Sequence, residues 1–427
     1  MLDIKRIREK SGEVREGLSR RGADPVLLDA VLELDRRRRA LLTSVEEMKN
    51  RRNAASKEIG AARKRGEDTA GVQAEVRTLG DQITAQDEQV RILETELHTA
   101  VLRIPNIPCA TIPTGPDASA NRVARLEGQP RAFDFEPRDH VALAESLGIL
   151  DLPRATRMSG SGFPLLLGAG ARLQRALIQY MLDMHTTKHG YTEMLPPFVV
   201  NSDSMCGTGQ LPKMAEDMYH CEKDDLWLIP TAEVPVTNYF REEILDRPLP
   251  VFLTAYTPCF RREAGSAGKE TRGILRVHQF DKVEMVKFVA PETSYAELET
   301  LVGNAEDVLK GLGLHYRILE LCSGDISFAA AKCYDIELWA PGQKGWLEVS
   351  SCSNFEDFQA RRANIRYRDA EGKTRFVHTL NGSGVALPRL MIALLENYQQ
   401  ADGSVLLPPA IVPYMGGVDR LVPAVRK

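Results

Sequence analysis

The sequence predicts an α+β fold, a mainly antiparallel sheet flanked by helices, preceded by an arm of two long antiparallel helices. Three observations carry this. Residues 27–101 hold no proline and space their apolar side chains by three and four, the helical period. From about Val141 onward, β-rich runs such as WLIPTAEVPV, LPVFLTAYTPCF, DIELWA, GWLEVSSCS and RFVHTLNGSG are joined by short turns and not by crossover helices. No G-x-x-x-x-G-K-[ST] loop is present, and a doubly wound dinucleotide fold does not suit this order of elements.

The arm follows from two seams. Leu34, Leu41, Val45, Met48, Ala55, Ile59 and Ala62 fall on one helical stripe, and Val72, Val76, Leu79, Ile83, Val90, Leu93 and Leu97 on another. KRGEDTAG, residues 64–71, supplies the turn between them. At 1.5 Å rise per residue the rod is roughly 50 Å long. Its charge is uneven. Lys49, Arg51, Arg52, Lys57, Arg63, Lys64 and Arg65 face a single acid, Glu58, over residues 49–65, whereas residues 67–98 hold eight acids against Arg77 and Arg91. Such a division suits interhelical salt bridges, and a basic distal half also suits contact with an RNA backbone.

Residues 104–121, IPNIPCATIPTGPDASAN, are rich in Pro, Ser, Thr and Gly and read as an extended linker between residues 1–103 and a second domain over 122–427. There, residues 171–196 predict a helix with Leu173, Leu177, Met181 and Met184 on one side, a stop at Gly190, a short strand and Pro196. Residues 259–284 predict a hairpin whose loop runs from Ala264 to Gly273. Arg261 and Glu263 would share one face of its first strand and Arg276, His278 and Phe280 one face of its second. With Arg262, Lys269 and Arg272, this hairpin carries the cations that grip a polyphosphate. Residues 376–399 predict a strand, a small-residue turn Asn381-Gly382-Ser383-Gly384, and a helix starting near Pro388 with Arg389 in its first turn.

Composition narrows the class. With 427 residues, 43% hydrophobic, 27% charged and a net charge of -4, the chain is neither disordered nor collagenous, and any nucleic acid must meet a local basic patch. MLDIKRIREK is too charged for a secretory signal and no run spans a bilayer, so a cytoplasmic location with no membrane partner is expected. Seven widely spaced cysteines without a C-x-x-C pair predict reduced thiols and no zinc site.

The pattern R-x-E, loop, R-x-x-x-F at Arg261, Glu263, Arg276 and Phe280 resembles the second signature motif of class II aminoacyl-tRNA synthetases. Residues 171–196 resemble the first, a dimer-forming helix and strand, and 376–399 the third. The arm, Thr231-Ala232-Glu233, the run from Arg272 to Glu284 and EVSSCSNFEDFQARR from Glu348 are similar to seryl-tRNA synthetases of bacterial type over essentially the whole chain. That resemblance implies ATP contacts from Arg261, Arg262, Glu263, Arg276, Val277, Phe280, Glu348, Val349, Ser350, Ser351 and Arg389. Arg261, Arg276 and Arg389 would be the catalytic cations. It implies a serine pocket of Thr231, Ala232, Glu233, Arg261, Glu284, Asn381 and Ser383, with Mg²⁺ between Glu348 and Ser351. Serine's hydroxyl and ammonium want acceptors, which carboxylates and hydroxyls provide. Arg262 stands where many relatives carry Ser. The implied partners are ATP, L-serine, tRNA(Ser), with tRNA(Sec) as a second candidate, and another copy of the chain. The rival readings are a paralogue that charges a carrier protein, which would lack the arm, and a nonenzymatic RNA-binding scaffold, which would not need Arg261, Glu263, Phe280, Glu348 and Arg389 together.

Overall fold

The computed structural model describes residues 1–264 and 272–424. Lys269 and most of the hairpin loop, residues 264–273, lie outside them. The chain divides into a unit of Leu2–Pro105 and a unit comprising Met1 and Asn106–Lys427.

In the first unit, helices α1 (Ile4–Glu9) and α2 (Ser11–Arg20) precede the long helices α3 (Val26–Lys64) and α4 (Ala70–Leu102), which pack on each other. Val45 and Ala62 on α3 and Leu79, Ile83, Val90, Leu93 and Leu97 on α4 are buried, so the two seams face one another. Gly66 takes the turn with φ 76°, where a side chain would be strained. Part of the charge division is spent between the helices. Arg38 pairs with Glu94 at 3.0 Å, Lys49 with Asp87 at 3.0 Å and Arg51 with Glu75 at 3.3 Å, all of them exposed or half-exposed and each worth about 1 kcal/mol or less. Nearer the base, Asp35 is 1% exposed and is held by Arg8 at 3.4 Å and Arg39 at 3.0 Å.

The second unit is built on one eight-stranded sheet. Its strands are β1 (Arg122–Glu127), β2 (Thr192–Glu193), β3 (Val251–Phe260), β4 (Gln279–Val289), β5 (Tyr316–Glu320), β6 (Lys332–Ala340), β7 (Gly345–Asn354) and β8 (His378–Ala386). Their order is β1-β5-β6-β7-β8-β4-β3-β2, antiparallel throughout except for the β2–β3 pair. Burial alternates along β6 from Tyr334 to Ala340, every second side chain entering the core. Helices α5 (Gly168–Thr187), α6 (Ser294–Gly311) and α7 (Leu387–Tyr398) pack on the sheet, with Leu173, Leu177 and Met181 of α5 buried as their spacing predicts. Gly190 follows α5 with φ 75° and leads into β2.

Several elements differ from expectation. Within WLIPTAEVPV only Trp227 and Leu228, the end of the strand Leu226–Leu228, are extended in a ladder, and from Glu233 the chain enters a short helix, Glu233–Thr237, because Pro235 removes a ladder donor but is tolerated in a first helical turn. Asn381–Gly384 is no turn. It lies inside β8, and its small residues serve close approach: a Cβ on Gly382 would sit 2.9 Å from Cys352 Sγ, and one on Gly384 2.6 Å from His185 Nε2. The hairpin strands stop at Phe260 and resume at Gln279, so Arg261, Glu263, Arg276 and His278 belong to the loop region, where Glu263 adopts φ 53°. Residues 106–121 are laid along the second unit. Asn106 Nδ2 donates to the carbonyls of Ala329 and Phe355 at 2.9 Å, the Cys109 amide to Ala331 at 2.8 Å, and the amides of Ser323 and Gly324 return bonds to Pro113 and Gly115.

Candidate active site

A cleft of about 610 Å³ opens over the strands β4, β7 and β8. It gathers Thr231, Glu233, Arg261, Glu263, Arg276, Val277, Phe280, Glu348, Val349, Ser350, Ser351, Asn381, Ser383 and Arg389, residues spread over some 160 positions. Three of the expected set do not line it. Ala232 is fully buried in a core with Val236 and Leu253. Glu284, also fully buried, lies beneath the floor. Arg262 is exposed and turns its guanidinium to the Met218 carbonyl, 2.8 Å away, and to the Tyr219 ring at 4.7 Å. With its amide on the Asp217 carbonyl at 2.8 Å, Arg262 secures the neighbouring wall.

On one wall the ladder bond from the Arg261 amide to the His278 carbonyl, 2.9 Å, carries the pairing of β3 and β4 past the strand ends. It brings the Arg261 guanidinium 5.1 Å from the centroid of the Phe280 ring, while Nε donates to the Pro230 carbonyl at 3.3 Å. Glu263 and Arg276, thirteen residues apart, form an ion pair across the loop. On the opposite side Arg389, in the first turn of α7, donates to the Glu348 carbonyl at 2.7 Å and to the Leu275 carbonyl at 3.4 Å. Three guanidinium groups thus flank a half-buried aromatic ring, an arrangement able to hold a base and a polyphosphate.

The floor is set by register. Glu284 on β4 faces Ser383 on β8, and its carboxylate accepts from Asn381 Nδ2 at 2.9 Å and Ser383 Oγ at 3.4 Å. Glu233 accepts from Gln359 Nε2 at 2.6 Å; burial and the Glu284 charge push its carboxyl up to about 7. Ser350 Oγ donates to the Ser383 carbonyl at 2.6 Å, locking β7 to β8. Two residues that went unassigned in the sequence complete the floor. Gln359, fully buried, also takes the Thr379 hydroxyl at 2.7 Å. Lys282 Nζ lies 2.5 Å from Glu284 Oε2 and 2.9 Å from Thr231 Oγ1. Their signals were present: Lys282 precedes Glu284 by two in a strand and so shares its face, and Gln359 lies in the segment beginning at Glu348.

Folded Glu233 keeps its proton up to about pH 7, whereas the unfolded chain releases it near 4.5. Its contribution to stability is therefore complete below pH 4.5 and lost as the pH rises through about 7, a change on the order of 3 kcal/mol. Thermal unfolding at pH 5 and pH 8 checks this: Glu233→Gln should lose less on going to pH 8 than the unsubstituted chain.

Near the Glu348 carboxylate, Asp335 on β6 is the register partner of Ser351 on β7. Burial, then the Glu348 charge, holds the Asp335 carboxyl well above the usual carboxylate range. Two carboxylates repelling each other beside a serine hydroxyl form a donor set that a divalent cation would relieve. No cluster of three His, Cys, Asp or Glu suited to a metal occurs among the described residues. Fewer protein ligands suffice for a magnesium ion that keeps waters and shares phosphates. All seven cysteines are free thiols, and no helix among the described residues is long and apolar enough to cross a membrane.

Known proteins share this arrangement over the whole chain. The seryl-tRNA synthetase N-terminal domain profile matches residues 1–108, and that of the tRNA synthetase class II core domain (G, H, P, S and T) matches residues 218–398. A serine–tRNA ligase of Thermomicrobium roseum is 55% identical over 423 residues, covering 99% of this chain and 95% of that protein. The chain belongs to the seryl-tRNA synthetase family. Family membership makes it a class II, ATP-dependent aminoacyl-tRNA ligase, a serine–tRNA ligase. The seryl-tRNA synthetase of Pyrococcus horikoshii, solved with ATP, superposes with a TM-score of 0.95 at 38% identity, covering 100% of both chains. The cytoplasmic serine–tRNA ligase of Naegleria fowleri, solved with AMP, gives 0.90 at 30% identity over 100% of this chain and 99% of that one.

Proposed function

We propose that the cleft joins L-serine to ATP and then passes the seryl group to the terminal adenosine of tRNA(Ser). The observation that carries this reading is the meeting in one cleft of the Arg261–Phe280 and Glu263–Arg276 pairs with a floor of Glu233 and Ser383, the latter bonded to Glu284 beneath it. Phe280 supports the adenine and Glu263 accepts from its amino group. A serine carboxylate oxygen attacks the α-phosphorus, the bond to the bridging oxygen breaks, and pyrophosphate leaves. Arg261 neutralises charge growing on the α-phosphate oxygens, while Arg276 and Arg389 hold the leaving group. Val277, Val349 and Ser350 border the nucleotide.

Glu284, Asn381, Ser383, Thr231 and Glu233 hold the serine hydroxyl and ammonium. A smaller alanine would leave them unpaired, which a hydrogen-bonding site penalises strongly. Glu348 and Ser351 would hold Mg²⁺, which supplies charge neutralisation between the phosphates. Two further readings complete the proposal. Leu167, Leu195, Phe198 and Val199 expose 42%, 79%, 37% and 41% of their surface around α5 and β2, an apolar patch suited to a second copy of the chain. A homodimer working in the cytoplasm is the corresponding assembly, and a monomer in sedimentation equilibrium would remove it.

ATP–pyrophosphate exchange with a panel of amino acids tests the chemistry. Exchange is expected with serine, with alanine weaker by about 10⁴ or more. Exchange with threonine or alanine but not serine would overturn the specificity, and exchange with none would overturn the activity.

A further inference from the structure

The cation that neutralises the buried Glu284 is not part of any substrate. Lys282 is 6% exposed, lies two residues before Glu284 on β4, and places Nζ on Glu284 Oε2 and Thr231 Oγ1 at 2.5 and 2.9 Å. Those acceptors are the ones assigned above to serine's ammonium and hydroxyl. Lys282 therefore stands where a substrate ammonium would be drawn.

Serine arrives as a zwitterion, with a cation and an anion on neighbouring atoms. Its ammonium cannot share Glu284 and Thr231 with Lys282 at full strength, because two cations would then crowd one buried carboxylate. Lys282 cannot retreat into water, being almost wholly buried, yet its four-carbon stem allows it to turn within the cleft. The anion entering with the ammonium is serine's own carboxylate. Arg261, on the adjoining wall, is tied through Nε to the Pro230 carbonyl and leans on Phe280. We propose that serine splits the Lys282–Glu284 pair: its ammonium replaces Lys282 on the acceptors, and Lys282 turns to hold the carboxylate that becomes the nucleophile. This rests on the serine-activating reading above. The exchange conserves charge, one internal ion pair giving way to two pairs with the ligand, and no proton or bond is transferred.

The exchange predicts a requirement for the carboxylate. Serinol carries the ammonium and hydroxyl but no carboxylate, so it should bind weakly and gain nothing from Lys282. Calorimetric binding of L-serine and of serinol to the full chain, with Lys282→Met and Lys282→Arg, separates the roles. Lys282→Met should weaken serine about 30-fold or more while changing serinol little or improving it, and should leave ATP binding measured without serine where it was. Lys282→Arg, which keeps the charge and serves if the Met variant unfolds, should recover part of the serine affinity. Equal losses for serine and serinol would make Lys282 a structural prop for Glu284 and overturn the exchange, as would unchanged serine binding. Failure of the unsubstituted chain to bind serine would instead remove the reading of the pocket on which the exchange depends.

Discussion

Replacing Arg261 by alanine should lower kcat for serine-dependent ATP–pyrophosphate exchange by about 10² to 10³, with much smaller changes in the apparent affinities for ATP and serine. The side chain sits where nucleotide and amino acid must meet, between the Phe280 ring at 5.1 Å and the floor that holds Glu233. Charge on the α-phosphate oxygens grows only as the carboxylate attacks, so a guanidinium fixed beforehand stabilises the transition state more than the ground state. The Pro230 carbonyl at 3.3 Å and the backbone bond to His278 supply that fixation. Arg261→Lys should recover little, since a point charge on a flexible stem has neither the fork nor the ring contact. Exchange by Arg261→Ala within tenfold of the unsubstituted chain, at matched thermal stability, would contradict this role.

The arm was legible because its logic is one-dimensional. A spacing of three and four without proline leaves helix as the one structure able to bury both seams, and the boundaries at Lys64 and Ala70 follow from the KRGEDTAG turn. The sheet was legible in kind. Its details failed where a local signal answered to a distant residue. Asn381–Gly384 resembles a turn by composition, yet its glycines are small because His185 and Cys352 press on β8 from behind, which nothing local reveals. The helix at Glu233–Thr237 was hidden by β-branched residues whose burial, not strand pairing, explains them.

The cleft residues divide in the same way. Arg261, Glu263, Arg276 and Phe280 could be read from spacing, since a hairpin brings its two limbs together by geometry. Asn381, Ser383 and Glu284 meet only because β8 and β4 are adjacent in the sheet, a pairing across about a hundred residues. Lys282 went unassigned because a buried lysine reads as an ordinary strand residue until its partner is known. Arg262 carries the motif's charge but spends it on the Met218 carbonyl and the Tyr219 ring. Sequence position locates a cation on the chain and leaves its direction to packing.

Deleting residues 36–97 and rejoining the stubs of α3 and α4 through a short glycine linker should leave ATP–pyrophosphate exchange largely intact and abolish charging of tRNA(Ser). Every residue assigned to the chemistry lies in the unit beginning at Asn106, whereas the basic set lies in the other. Within that set the contributions should be unequal. Lys49 and Arg51 are already engaged by Asp87 and Glu75, so a phosphate must compete with a carboxylate for them. Lys57, Arg63 and Lys64 are exposed near the tip, where release of counterions from the RNA favours binding. Arg52 is half-buried and Arg65 is paired with Glu67 at 2.7 Å. Changing Lys57, Arg63 and Lys64 together to alanine should therefore flatten the salt dependence of tRNA binding by about one unit of slope per residue. Changing Lys49 and Arg51 should flatten it less, because removing them also frees two acids to repel the RNA. Equal charging by the deleted and full-length chains would refute the arm's role, and equal slopes for the two sets would refute its division.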